Sequence, residues 1–564
     1  MKPARRVLLC VGLLLLAGCS GKAAPGAQVG RSPTPGPPSS ASPGADPAAQ
    51  AAAIVARLGD EDLVGQVLMP YAYGNDATNV SADSKAGNQK LGGVDTPAQL
   101  VAKYRVGGMI LVQQSADPTS STNPTSNVES PAQVRRLTGG LQAAGKQLPA
   151  GVPLLIGTDQ EYGSVTRIKD GLAPLPAAMG FGAAGDPALT KAAWGMAGAE
   201  LAALGVNVDF APVADTLGTA GSAVIGTRAY GSDPKLVGPQ VAAAVGGLQG
   251  AGVGATLKHF PGHGHTTADS HTELPVLAQS ADSLRANDLP PFKAGIDAGA
   301  WLVMSGHLDV RSMDPGVPAS LSHKLLTDVL RGEMGFTGVV ASDALNMQPV
   351  AKFGPAEEAV RAVLAGNDLL LWPPDLPGAY KGLLDALHSG KLPKPRLVEA
   401  VTRVVTLKLR LAQIPQPDMS TVDSAAHREV AGKAAAGSVT VVKGACTGPL
   451  ARGPVKVTAS GGNEARRDQL VEALRRQGVA IGDGGSRVHL LGFGDDASDL
   501  APDAAVTVAM DAPYVLASAK SPALVATFGR TAQATDALAA VLAGKAKAPG
   551  KLPVPVGNLP RSAC

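Results

Sequence analysis

The run Ala255-Thr256-Leu257-Lys258-His259-Phe260, followed by Pro261-Gly262-His263-Gly264-His265, decides how the rest of the chain is read. Its apolar part has the brevity and continuity of a strand buried on both faces. It ends in a lysine and a histidine, which cost several kcal/mol in such a place unless they are paired. The proline and glycines that follow specify an irregular loop. A buried strand that delivers polar groups to a loop at its C-terminal end is the repeating unit of a (β/α)8 barrel.

Working outward, the same pattern recurs. Apolar runs at residues 66–70, 108–112, 154–159 and 206–212 precede the quoted one, and runs at 301–306, 339–343 and 368–372 follow it. Helical stretches at 187–204, 235–251 and 355–365 separate several of them. Eight such units between residues 46 and 415 predict a TIM-type barrel with loop insertions. An open doubly wound sheet is the rival arrangement, but no glycine fingerprint follows the first run. Polar loops at 71–93 and 113–131 read either as lids or as solvated insertions.

Other runs also end in polar groups: Thr158-Asp159-Gln160-Glu161, Ser305-Gly306-His307 and Ser342-Asp343. One such residue is often a satisfied core group, whereas several on one rim point to a site. Beyond the quoted loop, Asp269 and His271 are two residues apart, so an extended backbone sends both side chains to the same side. A carboxylate beside an imidazole holds its tautomer and favours its protonated form, which suits general acid catalysis. His263, His265 and His271 with Asp269 also allow a zinc reading. The absence of a helical histidine pair and the nearby Lys258 weigh against it. No metal and no organic cofactor is expected.

Lys258-His259-Phe260-Pro261-Gly262-His263-Gly264 followed by Asp269-Ser270-His271 resembles the signature of glycoside hydrolase family 3, in its bacterial β-N-acetylglucosaminidase branch. Those enzymes act on peptidoglycan fragments. Asp159-Gln160-Glu161-Tyr162-Gly163, Arg228-Ala229-Tyr230-Gly231 and Ser342-Asp343-Ala344-Leu345-Asn346-Met347 are similar to further motifs of that family. The resemblance implies that Asp343 is the nucleophile, His271 the acid/base and Asp269 its partner. It implies sugar-binding roles for Asp159, Arg167, Arg228, Lys258 and His259. Two departures stand out. Tyr162 replaces a glycine and is expected to narrow the pocket or reshape its rim, and His265 stands where many relatives carry aspartate.

Ordered structure is expected to begin at Asp46-Pro47, which reads as a helix N-cap followed by proline at the first helical position. The barrel is expected over 46–415 and a polar linker over 416–430. Residues 431–564 then form a smaller C-terminal α/β sandwich domain, with strands at 438–442, 455–459, 488–492, 505–510 and 524–528 and helices at 464–477 and 531–542. Gly550-Lys551-Leu552-Pro553-Val554 resembles a recurrent family ending.

The first residues read as an address. Lys2, Arg5 and Arg6 precede an apolar stretch too short to span a bilayer, and Leu16-Ala17-Gly18-Cys19 resembles the bacterial lipobox. That implies a signal peptide over 1–19, acylation of Cys19 and a flexible tether over 20–45; an ordinary cleaved signal peptide is the alternative. Cys446 and Cys564 remain as an even pair in an oxidising compartment, a possible disulfide or two unrelated thiols. The net charge of +3 and the lack of a long basic block give nucleic acid no support as a partner. With 3% aromatic residues, a polar pocket for a carbohydrate is a better expectation than a broad stacking platform.

The expected protein is thus an exported, membrane-anchored enzyme facing the cell wall, which removes β-linked N-acetylglucosamine by a retaining mechanism. A β-glucosidase or β-xylosidase, a phosphorylase of the same family and a non-catalytic cell-wall-binding lipoprotein are the rivals.

Overall fold

Eight short parallel strands build the barrel: β1 (Leu68–Met69), β2 (Gly108–Ile110), β3 (Leu155–Thr158), β4 (Val208–Asp209), β5 (Gly254–Phe260), β6 (Leu302–Ser305), β7 (Val339–Ser342) and β8 (Leu370–Leu371). In this computed structural model, residues 46–115, 124–218, 222, 224–266, 268–270 and 273–564 are described. His271, Cys19 and the expected signal peptide and tether (1–45) lie outside the described residues. Strands β2 to β7 lie side by side in chain order, and β1 pairs with β8. Backbone hydrogen bonds from Ile110 N to Pro70 O (3.0 Å) and from Ser342 N to Leu369 O (2.9 Å) join that pair to β2 and β7. Every one of the eight apolar runs supplies one strand, and their buried Val, Ile and Leu side chains join one large core with the surrounding helices.

Helix starts follow a local rule. Ser130, Asp186 and Asp233 cap the helices Pro131–Gly145, Pro187–Ala203 and Pro234–Gly250, and Asp46 caps Pro47–Val55 in the same way. The cap's oxygen accepts a free N–H of the first turn, and proline at the next position has no N–H to satisfy.

A second sheet contains β9 (Thr440–Lys443), β10 (Val455–Ala459), β11 (Ser486–Leu491), β12 (Val506–Ala509) and β13 (Ala523–Ala526). Its order is β9-β13-β12-β11-β10, with β9 the antiparallel edge. Val441, Val455, Val488 and Val506 pack against Leu470, Leu474 and Leu538 of the helices Glu464–Arg476 and Ala532–Leu542. Val442, Leu524, Ala526 and Phe528 instead share a cluster with Val213, Leu217, Ile225 and Ala229 of the barrel loops. The sheet is therefore buried on both faces, by helices on one and by the barrel on the other, and residues 46–564 form one compact unit. Cys446 and Cys564 lie side by side with Cα atoms 5.3 Å apart, a spacing that suits a disulfide.

One expectation needs correction. A helix, Ala425–Ser438, begins inside the stretch read as linker. Ser424 caps it, and its buried side is made of Ala431, Ala434 and Ala435, too small to register as an apolar stripe. The loop at 71–93, for which the sequence left a lid and a solvated insertion open, holds the helix Ala82–Gly92. The Asn88 side chain ties that helix to Tyr73, accepting from its N–H and donating to its carbonyl, both at 2.8 Å. Among the described residues, no helix is long and apolar enough to cross a membrane.

Candidate active site

The C-terminal ends of the strands surround a cavity of about 400 Å³. Asp159, Arg167, Arg228, Lys258, His259 and Asp343 all line it, together with Gln113, Gln114 and Ser115 of the loop after β2. Asp159 and Asp343 are the residues that directly follow β3 and β7, whereas Lys258 and His259 belong to the end of β5. Arg228 closes a single 3-10 turn, Gly226–Arg228, in the loop after β4. Parallel strands that end at one level are what bring residues so distant in sequence onto one rim.

Charge pairing organises the wall. Lys258 Nζ lies 2.9 Å from Asp159 Oδ1 and 2.6 Å from Glu161 Oε1. Arg228 grips Glu161 with two bonds, Nε to Oε2 at 2.7 Å and Nη2 to Oε1 at 2.8 Å. Arg167 Nη2 reaches Asp159 Oδ2 at 3.4 Å. Burial alone would raise both carboxyls, but Arg228 and Lys258 beside Glu161, and Lys258 and Arg167 beside Asp159, hold them below the usual carboxylate range. Burial would likewise lower Lys258, and the two carboxylates more than offset it. Charged groups thus persist in a dry wall because each has its counter-charge. One level deeper, Asp209 has no such partner at Oδ2 among the described residues, and burial raises its pKa.

Asp215 and the glycine-rich loop form a second network. Asp215 Oδ2 lies 2.8 Å from His259 Nδ1, and its Oδ1 accepts from His259 N (3.1 Å) and His263 N (2.8 Å). His263 Nε2 contacts Ser270 Oγ at 3.1 Å, which places the residue between Asp269 and His271 at the edge of the cavity. Burial and the neighbouring His259 hold His263 below the ordinary histidine range. At the opposite wall, Asp343 Oδ1 accepts from Ala344 N at 2.8 Å, and His307 Nε2 sits 3.0 Å from the Ala344 carbonyl. His307 is a fully buried histidine with its other nitrogen 2.7 Å from Ser320 Oγ, as a satisfied core residue should be.

This arrangement places a rim carboxylate, Asp343, in one cavity with paired donors and acceptors that suit sugar hydroxyls. The N-terminal domain of glycosyl hydrolase family 3 matches residues 78–407. The chain belongs to glycosyl hydrolase family 3. This family 3 enzyme is 31% identical to β-hexosaminidase A of Pseudoalteromonas piscicida over 427 residues, 70% of this chain and 69% of the relative. A β-hexosaminidase of Stenotrophomonas maltophilia is 43% identical over 253 residues, 43% of this chain and 73% of the relative. In structure, the family 3 enzyme is similar to a β-N-acetylglucosaminidase of the same family from Paenibacillus sp. str. FPU-7. That likeness has a TM-score of 0.76 at 30% identity and covers 89% of this chain and 99% of the other. Family and fold together make this protein a glycosidase.

The structure also sorts the expected site residues of the family 3 enzyme. Asp269 is half-buried beside Ser270. Tyr162 does not narrow the cavity: with φ +65 it turns into the core, its ring edge-on to Trp194 at 6.0 Å. His265 also turns aside, its Nδ1 2.7 Å from Asp288 Oδ1, and that hydrogen bond raises its pKa. Among the described residues, no group of three or more His, Cys, Asp or Glu is placed to hold a metal. Sequence reasoning missed Asp215 and kept Glu161 only as a fallback for the acid/base, with no place in the wall. Asp215 stands three residues past Pro212, where the fourth apolar run was taken to end, and continuing that run was the available signal.

Proposed function

We propose that this glycosidase removes terminal, non-reducing β-linked N-acetylglucosamine from peptidoglycan fragments with retention of configuration. The observation that carries the proposal is that Asp343 shares one cavity with Asp159, Arg167, Arg228, Lys258 and His259. Asp343 attacks the anomeric carbon while His271 gives a proton to the departing glycosidic oxygen. His271 then takes a proton from water, whose oxygen attacks the same carbon and frees Asp343. Asp269 orients His271 and favours its charged form. Asp159 accepts bonds from sugar hydroxyls, and Lys258 and Arg228 donate them.

Hydrolysis is favoured over phosphorolysis by the pairing of the wall's cations. Lys258, Arg228 and Arg167 each already face a carboxylate, so an incoming phosphate would meet charges that are compensated. A hexosaminidase activity is supported by the two β-hexosaminidase relatives, and the N-acetylglucosamine specificity by the likeness to the Paenibacillus β-N-acetylglucosaminidase. The lipobox-like Leu16-Ala17-Gly18-Cys19 supports export and a lipid anchor at Cys19, with the enzyme held at the membrane and facing the cell wall.

Purified protein incubated with muropeptides and, separately, with chitobiose tests the proposal. Release of N-acetylglucosamine, seen first as the β-anomer by NMR and faster from muropeptides, is the expected result. First appearance of the α-anomer would overturn the retaining mechanism, and failure to release the sugar from either substrate would overturn the specificity.

A further inference from the structure

We propose that Asp215 is a positioning residue that fixes His259 as its Nδ1–H tautomer and thereby aims Arg228 into the sugar site. The inference rests on the reading of the cavity as that site, but its decisive measurement does not.

Asp215 is completely buried at the end of the segment that leaves β4. Both of its oxygens are committed to the end of β5 and the loop beyond, to His259 N, His259 Nδ1 and His263 N. A carboxylate oxygen has only lone pairs to offer, so the 2.8 Å contact requires a proton on His259 Nδ1. The other ring nitrogen faces Arg228 Nη2 at 3.2 Å. A guanidinium nitrogen only donates, so this contact is a hydrogen bond only when Nε2 carries its lone pair. The two contacts agree on one tautomer. Arg228 Nη2 then has one proton on His259 and one on Glu161, while Nε holds Glu161 from the side. With Nη1 donating to Val224 O at 3.3 Å, Glu161, His259 and Val224 together set the plane of the guanidinium where it lines the cavity.

The substitution Asp215→Asn makes the argument testable, because it keeps the shape and reverses one bond. The asparagine oxygen still accepts from the two backbone N–H groups, but its NH₂ must donate to His259 Nδ1. The ring proton then moves to Nε2 and opposes an N–H of Arg228. Flipping the amide is worse, since it sets NH₂ against both backbone donors. A carboxylate that orients a histidine thus acts on Arg228 without touching it.

Long-range ¹H–¹⁵N correlation on protein labelled at histidine reads the tautomer directly, with the His259 signals assigned by their loss in His259→Gln. In the wild type we expect a protonated Nδ1 and a bare Nε2, and in Asp215→Asn the reverse or a mixture. With a chromogenic N-acetylglucosaminide, KM should rise by roughly tenfold or more in Asp215→Asn, with a smaller change in kcat. In an Arg228→Met background the same substitution should change KM by less than about twofold, because the two residues act through one contact. A protonated Nε2 in the wild type overturns the proposal. So does an unchanged KM in a folded Asp215→Asn. Should that variant fail to fold, the wild-type spectrum alone decides. A wild type with the expected tautomer that releases no N-acetylglucosamine would sink the proposed specificity and leave the tautomer assignment standing.

Discussion

Lys258 Nζ lies 2.6 Å from Glu161 Oε1, and both side chains are sealed from solvent, at 2% and 3% exposure. An ion pair so enclosed is held by its partners. Removing the Glu161 charge leaves Lys258 with Asp159 alone and deprives buried Arg228 of the carboxylate it grips, at a cost of about 3–5 kcal/mol. Glu161→Gln should therefore lower stability at pH 7 by that order, read from urea unfolding, and should raise KM because Arg228 loses its bidentate grip. The folded pKa of Glu161 is depressed, so its contribution is present above the unfolded value of 4.5 and is lost only as pH falls toward the lower folded value. The variant should lack that part of the acid-side loss. A variant as stable as wild type at pH 7 would show that the pair is not confined as described.

Asp343→Asn should leave a folded protein with activity lowered by several orders of magnitude, since no covalent intermediate can form. A mechanism-based fluorosugar should label wild type at Asp343, as read by peptide mass spectrometry. Labelling of Asp159 or Glu161 would refute the assignment.

His271→Ala should harm substrates with poor leaving groups most. A nitrophenyl glycoside needs little protonation of its leaving group and should lose far less in glycosylation than a disaccharide. Asp269→Asn should act in the same direction but more mildly. Equal losses on both substrates would remove His271 from the acid/base role.

Glu358 is buried in the helix Pro355–Ala365 with no hydrogen-bond partner on either carboxyl oxygen among the described residues, and burial pushes it up to about 8. Its folded pKa is raised, so its contribution to stability is complete below the unfolded value of 4.5 and declines until pH passes about 8. Glu358→Gln should flatten the stability profile across that window and be the more stable protein at pH 8. Parallel profiles for the two proteins in thermal melts would contradict it.

Cys19→Ser should move the protein from the membrane fraction to the soluble one, because a single acylated cysteine is the proposed anchor. Retention of the variant in membranes would assign the attachment to another feature.

The barrel was legible because strands buried on two faces must be apolar throughout, a demand that leaves few other readings of runs such as 154–159 or 339–343. Asp343, Lys258 and His259 were legible as candidates because a polar side chain at the end of such a run is conspicuous. Asp215 was not, because it follows Pro212, Val213 and Ala214, which read as the start of a loop. Glu161 stood inside a quoted motif, yet its grip on Arg228 spans 67 residues and no local pattern encodes it. The helix Ala425–Ser438 escaped notice because alanine and serine bury well without making an apolar stripe in the periodicity. Tyr162 was read for its bulk, whereas the backbone at φ +65 decides where that bulk goes.

The apolar cluster shared by the barrel loops and the C-terminal sheet ties the evolutionary freedom of each part to the other. Val213 and Leu217 flank Asp215, Ile225 and Ala229 flank Arg228, and all four share that cluster with Leu524, Phe528, Leu552 and Val554. Ser232 N also donates to Pro553 O at 3.2 Å. A change of side-chain volume on either side is thus inherited by the other, and compensating changes should accumulate in pairs across this seam. A chimera that borrows its C-terminal half from another family member inherits a foreign seam, and these eight positions are the ones to transplant together.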